Sequence, residues 1–473
     1  LIRVNEGLGI HPFLRETNVS GVYPALGIAY LAGAARAAGF PVSVIDAHAL
    51  NLDLEGLAGQ VGELQPDVIG LTSTTFNWPV VAAVARHLRE AMPDVTLIVG
   101  GPHLSLYPEE SMEERAFDVA VIGEGDHVLP ELLAGIAAGS EIAGLPGTVV
   151  RRGDDLVMGP ARPPIVDLDA LPLPAIDLLP MDRYRSLTLP RPFVSMVTSR
   201  GCPYRCRFCS QAYVGGAHRE HGVERVLEEI ERAVGVFHAR EIVFFDETFT
   251  LNRKRVLAIC QGMLARNLKV SWNIRTRADL LDDEVLLALR DAGCAGVHCG
   301  IEAGSERIRH LMNKKLDLKM GMRALERARG LGMETRGYFM LGYPGETREE
   351  IEETIRLSCQ LPLDWASYTI TIALPGTDIH SDLLESGQWE GQYWQEYSRQ
   401  HFSGPPGYAS RTLEADELEV LLKRAYRRFY LRPSTISRKI VSRRLWRELP
   451  SVFGTGVELL KQRGRRRPER KAR

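Results

Sequence analysis

The chain has 473 residues, 45% of them hydrophobic and 25% charged, with a formal net charge of −2; this is the make-up of a globular protein too long for a single core. No apolar run reaches the roughly 18 residues that cross a bilayer, and the opening "LIRVNEGLGIHP" has neither the basic nor the apolar region of a secretory signal, so a cytoplasmic protein is expected. Of the seven cysteines, an odd number, three fall within eight residues, which argues against a disulfide framework and for a metal site in a reducing compartment.

Charge is unevenly spread. From Lys423 to Arg473, 18 Lys and Arg stand against 3 Asp and Glu, a net of +15, which leaves 40 basic and 57 acidic side chains, a net of −17, in residues 1–422. Leu1 in place of Met suggests an alternative start codon or a shortened first strand.

Taken in chain order, four short apolar runs predict buried strands: Pro41–Ala47, Asp67–Thr74, Val95–Gly101 and Asp118–Gly125. Amphipathic helices are predicted between them, among them Ala25–Gly39 and Trp78–Met92. This alternation implies a doubly wound, Rossmann-like α/β domain over residues 1–150, its parallel sheet covered on both faces. Ligands of such sheets bind beyond the carboxyl ends of the strands, here the loops Thr72–Thr75, Gly100–His103 and Gly123–Asp126. Residues 151–190 form a proline-rich linker, "RPPIVDLDALPLPAIDLLP", with too little periodicity for a helix.

The strand and helix rhythm returns over 191–385. Phe193–Ser199, Glu241–Glu247, Lys269–Arg275, Gly296–Glu302, Thr335–Gly342 and Trp365–Leu374 are strand-like, with helices such as Val223–Gly235 and Thr347–Gln360 between them. Six repeats predict a partial, TIM-like (β/α)6 barrel with its active site at the carboxyl ends of the strands. Residues 386–473 read as a mostly helical, basic region with one helix over 414–432 and a frayed end.

Cys202, Cys206 and Cys209 follow the first barrel strand, spaced CxxxCxxC. A cubane iron-sulfur cluster needs one ligand per iron, so three thiolates hold three irons and leave the fourth open for substrate. A structural zinc would need a fourth ligand; His218 and His221 are near, at no recognised finger spacing. Cys260, Cys294, Cys299 and Cys359 read as small buried apolar residues.

The stretch "CPYRCRFC", with the aromatic Phe208 before its last cysteine, resembles the signature of the radical S-adenosylmethionine (SAM) superfamily. The resemblance implies that Cys202, Cys206 and Cys209 ligate a [4Fe-4S] cluster, that SAM chelates the open iron, and that an electron from the cluster cleaves SAM to a 5′-deoxyadenosyl radical. Further motifs continue it: "FFDETFT" offers Asp246 and Glu247 to the SAM amino group, "NIRTRADLL" offers Arg275 and Arg277 to its carboxylate, and "GIEAGSERI" offers Glu302 and Ser305 to ribose or the methionyl end. "GYFMLGYPGET" and "ALPGT" resemble the ends of the fifth and sixth strands.

A doubly wound domain before such a barrel resembles the cobalamin-binding subfamily, on "YPALGIAYLAGAARAAGFPVSVIDA", "DVIGLTSTT", "LIVGGPH" and "DVAVIGEGD". That implies cobalamin beyond the strand ends, with Thr72, Ser73 and Thr74 as hydrogen-bonding residues, Gly100 and Gly101 permitting close approach, and Glu124 and Gly125 in the last loop. There is no DxHxxG to supply a histidine to cobalt; His11 in "GIHPFL" lacks the Asp and lies at the wrong end of the domain, and His103 reads as a loop histidine. No GxGxxG follows the first strand, which argues against a dinucleotide.

The expected activity is therefore cobalamin-dependent radical C-methylation of an unactivated carbon in a small-molecule or lipid-like substrate. The alternatives are a non-methylating enzyme resembling the anaerobic Mg-protoporphyrin monomethyl ester cyclases or hopanoid side-chain enzymes, and a non-catalytic cobalamin sensor. A methylthiotransferase would need three more cysteines in its N-terminal domain, and none precedes Cys202. A flavodoxin or ferredoxin is the expected electron donor. The basic tail suggests peripheral contact with the inner membrane face; a nucleic-acid partner is not expected.

Overall fold

The structure is a computed structural model in which residues 1–6, 21–186, 188–210, 217–389, 393–394, 396 and 407–433 are described. His11 and the tail from 434 onward lie outside the described residues.

Strands β1 (Ile2–Arg3), β2 (Ile45–Asp46), β3 (Val68–Thr72), β4 (Thr96–Gly100) and β5 (Val119–Val121) run parallel in the order β2-β1-β3-β4-β5. Strand order reverses between β1 and β3, the place where such sheets bind ligands. Helices α1 (Leu26–Ala37), α2 (Leu54–Leu64), α3 (Trp78–Ala91) and α4 (Gly125–Ala137) cover both faces. Leu57, Val61, Trp78 and Val81 pack on Ile69, Leu71 and Leu97 on one face; Ala35, Val128 and Leu132 pack on Ile98, Val119 and Val121 on the other.

The sheet continues past residue 150. β6 (Thr148–Arg152) pairs antiparallel with β5, and β7 (Asp155–Met158) with β6, through a tight turn in which Gly153 takes φ +61. The first residues of the expected linker therefore belong to a hairpin on the sheet. β7 is an edge strand with no fully buried residue, and its apolar run, Leu156–Met158, is short. The rest of the linker is tied to both sides. The Ala175 N–H donates to the Ala29 carbonyl at 2.8 Å and the Tyr184 hydroxyl to Asp46 at 2.9 Å, while Asp169 accepts from the Gly222 N–H at 2.9 Å and the Leu171 carbonyl accepts from Arg225 at 2.8 Å.

Strands β8 (Phe193–Met196), β9 (Glu241–Phe244), β10 (Ser271–Thr276), β11 (Cys294–Glu302), β12 (Glu334–Leu341) and β13 (Trp365–Ile370) form a six-stranded parallel sheet in sequence order, open between β8 and β13. Helices including α5 (Val223–Gly235), α6 (Arg253–Ala265) and α7 (Arg348–Gln360) bury one face of it over Val194, Ile242, Phe244, Trp272, Ile274, Val297 and Phe339. Asn252 caps α6, and Thr347 with Glu350 forms a capping box on α7, satisfying backbone donors that a helix start leaves open. α8 (Ala415–Tyr430) lies along β13 and closes that edge with side chains. Among the described residues no helix is long and apolar enough to cross a membrane.

Candidate active site

The cysteine loop leaves β8 under tight local control. Buried Asp246, just past β9, accepts from the Thr198 N–H at 3.1 Å, the Thr198 hydroxyl at 2.7 Å and the Ser199 hydroxyl at 2.5 Å. Ser199–Arg200 then pairs antiparallel with Arg219–Glu220. Cys202 follows, buried, its Sγ 3.6 Å from the Thr248 hydroxyl. Cys206 is partly exposed and Cys209 exposed, in a turn closed by the Cys209 N–H on the Cys206 carbonyl at 3.0 Å. From the β11 side the Arg207 N–H donates to the Met312 carbonyl at 3.0 Å and Asn313 to the Arg205 carbonyl at 2.6 Å.

Among the described residues no three His, Cys, Asp or Glu side chains converge as a single-ion site requires. A cubane takes each thiolate on a separate iron, so three cysteines outside any disulfide on one braced loop suit a cluster. His218 and His221 are engaged elsewhere, with the Gly201 carbonyl and Asp169.

The other expected residues divide. Asp246 is fully buried and occupied by the β8 loop; burial pushes its carboxyl up, against the hydrogen bonds from Ser199 and Thr198. Glu247 beside it is exposed. Arg277 commits four of its five N–H donors to Asp279 and to the Lys314 and Lys315 carbonyls, and lies 4.1 Å over the Tyr204 ring. Ser305 caps a short helix and donates to Glu350 at 2.7 Å. Arg275 extends over Phe245, 3.8 Å from the ring centre. Glu302 takes φ +71 where β11 shifts register against β12, and its carboxylate meets the buried Lys314 ammonium at 2.9 Å. Burial would push Lys314 down, but Glu302 outweighs it and holds the ammonium above its ordinary range. Phe208 packs on the apolar cluster of Met312, Tyr343 and Ile379.

In the N-terminal domain the loops after β3 and β4 meet. The Ser73 N–H donates to the Gly100 carbonyl at 2.8 Å, and the Ser73 hydroxyl is held by Asn77 and the Thr74 carbonyl. Gly101 takes φ +106 against the Ser73 backbone, where a side chain would collide. Thr74 is exposed, and Thr72, Gly100 and Gly101 are partly so, which leaves these loop tips open to a ligand. His103 is buried against Trp78 and Tyr107, its Nδ1 3.3 Å from the Thr75 hydroxyl, and burial pushes its ring down to about 3. Gly125 begins α4.

Glu124 is occupied by the other domain. It pairs with Arg200 at 2.9 Å and Arg219 at 2.7 Å and accepts from the Ile165 N–H at 2.7 Å, while Asp126 takes both Arg200 NH groups at 3.0 Å. Burial would raise the Glu124 carboxyl, but these donors, Arg219 first, hold it below its usual range. A second contact joins the same ends of the sheets: Phe76, after β3, meets Trp394 edge-on at 5.8 Å, and the Trp394 indole N–H donates to the Ala373 carbonyl beyond β13. Sequence reading missed Arg200, Arg219, Asp126, Lys314 and Phe76. Their partners lie 12 or more residues away in the chain, and no motif marks any of them.

Comparison with known proteins agrees with this arrangement. The Radical SAM superfamily model matches residues 196–358 and the B12 binding domain model residues 16–133. An uncharacterized methyltransferase of Pyrococcus horikoshii is 34% identical over 88% of this chain and 90% of its own. The anaerobic magnesium-protoporphyrin IX monomethyl ester cyclase of Rubrivivax gelatinosus is 31% identical over 80% and 69%. The radical S-adenosylmethionine methyltransferase TsrM from Kitasatospora setae, solved with cobalamin and a [4Fe-4S] cluster bound, shares the fold at a TM-score of 0.70, with 18% identity over 90% of each chain. A barrel with three cysteines on its first loop, its strand ends turned toward those of a B12 binding domain, places the chain in the cobalamin-binding radical SAM superfamily.

Proposed function

We propose that the protein C-methylates an unactivated carbon of a small-molecule or lipid-like substrate. The observation that carries this reading is the meeting of the two ends expected to bear ligands: after β3, Phe76 touches Trp394, which is tied to the Ala373 carbonyl beyond β13, and after β5, Glu124 pairs with Arg200 beyond β8. A substrate in the barrel mouth then has the cysteine loop and the cobalamin loops within reach of one carbon. When bound, the cluster, SAM and cobalamin supply an electron, a hydrogen-abstracting radical and a methyl carrier.

The chain's own groups divide the rest of the work. Cys202, Cys206 and Cys209 hold the cluster. Glu247 offers a carboxylate to an ammonium at the end of β9, and Phe208 supplies an apolar wall. Thr72, Thr74, Gly100 and Gly101 receive cobalamin, while Ser73, Asp246, Arg277 and Ser305 shape their loops through the bonds described above. Glu302, fixed by Lys314, presents the carboxylate at the end of β11. A flavodoxin- or ferredoxin-type donor delivers electrons one at a time.

The test is anaerobic reconstitution with iron, sulfide and hydroxocobalamin, then dithionite reduction with methyl-deuterated SAM and a substrate extract. Deuterated methyl in a product, with 5′-deoxyadenosine and S-adenosylhomocysteine formed together, is expected. 5′-Deoxyadenosine without S-adenosylhomocysteine would favour the cyclase-type reaction, which the Rubrivivax relative supports as second reading. Unimpaired SAM cleavage by Cys206→Ala would sink both.

A further inference from the structure

One row of side chains across the inward side of the six-stranded sheet is cationic. Register sets Arg275 on β10 beside His298 on β11, His298 beside Arg336 on β12, and Arg336 beside Trp365 on β13. Their strand neighbours Ile274, Val297 and Ala366 belong to the core beneath the helices, so alternation turns this row to the opposite, inward face. Arg275 lies 3.8 Å over Phe245, and Arg336 5.5 Å over Trp365. His298 lies 3.4 Å from the Tyr338 hydroxyl through its Nδ1. Burial, with the two arginines, pushes His298 well below its ordinary value, so the ring adds no charge of its own.

Among the described residues neither Arg275 nor Arg336 has an ion-pair partner, and the buried Arg336 Nε has no acceptor. Arg200 and Arg277, near the ends of the same sheet, are by contrast each paired with a carboxylate. Two half-buried guanidinium groups flanking a buried imidazole repel each other and forgo solvation unless an anion joins them.

We propose that Arg275, His298 and Arg336 form a receptor for an oxyanion, a carboxylate or phosphoryl group, on the substrate, with Phe245 and Trp365 flanking an unsaturated or aromatic body. This rests on the reading that the barrel holds the substrate. SAM also carries a carboxylate, and Arg275 was the expected partner for it. His298, however, lies four residues, about 13 Å, below the β11 end where Glu302 stands, and Arg336 is only the third residue of β12, whereas Arg275 is one residue short of the β10 end. The cysteine loop is beyond the strand ends, so His298 and Arg336 at that depth answer to a different group from one bound at the cluster, and Arg336, not Arg275, decides between the two.

The test measures binding of 2-naphthoate, phenylphosphonate and the neutral 2-naphthamide to the full chain reconstituted with iron and sulfide, by anaerobic calorimetry, for wild type, Arg336→Gln and Arg336→Lys. At least one anion is expected to bind about tenfold or more tightly than the amide. Arg336→Gln should abolish that preference and Arg336→Lys retain part of it, with SAM affinity changed less than twofold. Equal binding of anions and amide by the wild type would overturn the proposal. So would Arg336→Gln weakening SAM while sparing the anions, since the row would then belong to the SAM carboxylate. If Arg336→Gln does not fold, the wild-type comparison and Arg336→Lys still decide. Binding needs no turnover; failure of the radical reading would show separately, as absence of 5′-deoxyadenosine from the wild type.

Discussion

The Tyr430 hydroxyl occupies both backbone groups of Ala366, accepting from its N–H at 3.2 Å and donating to its carbonyl at 2.8 Å. Tyr426 does the same for Tyr368, at 3.2 and 3.1 Å. Four residues of helix rise about 6 Å and two of strand about 6.6 Å, so tyrosines one turn apart on α8 match alternate peptides of β13. They stand where a further strand would pair, on an edge that would otherwise be open. Tyr430→Phe strands a buried donor and acceptor and is expected to cost about 1–3 kcal/mol. Urea unfolding measures it; a wild-type midpoint would show that the edge does not depend on the hydroxyl.

Glu346, after β12, is fully buried and accepts from the Gly342 and Tyr343 N–H groups at 2.6 and 3.1 Å, while its Oε1 has no partner. Burial, opposed by those donors, pushes its carboxyl up from 4.5 to about 7. A folded pKa above the unfolded one means the folded state binds the proton more tightly. Stability is therefore full below about pH 4.5, falls by about 3 kcal/mol as pH rises to about 7, and is level beyond. Glu346→Gln should remove that fall, visible as a smaller loss of urea midpoint between pH 5 and pH 8. Parallel profiles for variant and wild type would refute the assignment.

What was legible in the sequence follows the range of the interactions. Three cysteines on one loop declare themselves because their function is local, and apolar runs such as Val95–Gly101 mark strands buried on both faces. Arg275 and Arg277 look equivalent at the end of β10. Only the fold separates them, by bringing the Lys314 carbonyl, 37 residues away, to one and Phe245 to the other. Glu124 likewise reads as a ligand contact on its loop, and only the fold shows its arginine partners 76 and 95 residues onward. Edge strand β7 carries only the short apolar run Leu156–Met158, of which Leu156 is partly buried against the core of the domain.

Access separates three of the remaining thiols from Cys206 and Cys209. Cys260, Cys294 and Cys299 are buried, and burial pushes Cys260 and Cys299 up to about 12 and Cys294 higher still. Because the thiolate is the reactive form, iodoacetamide at pH 8 should alkylate exposed Cys209 first in the protein without iron and leave these three untouched. Loading with iron and sulfide should then protect Cys202, Cys206 and Cys209. Peptide mass spectrometry reads both results. Continued labelling of any loop cysteine after loading would remove it from the ligand set.

Arg200 ties the two domains through two carboxylates at once. It stands two residues before Cys202, and its guanidinium, side chain 14% exposed, bridges Glu124 and Asp126, at 10% and 8%. Arg200→Ala would leave Asp126 without its cation and Glu124 with Arg219 alone, a loss of about 2–4 kcal/mol for breaking a largely buried network from one side. Combining Arg200→Met with Asp126→Asn removes a charge from each side, so that double variant should be less destabilised than Arg200→Ala, although it makes one more change. Since the same residue fixes the start of the cysteine loop, Arg200→Ala should also bind less iron per chain on reconstitution. Urea unfolding and iron analysis on the same samples separate the two effects. Lowered stability with full iron would confine Arg200 to joining the domains; full stability with lowered iron would mean that the carboxylates it bridges tolerate its loss, and that its weight falls on the loop alone.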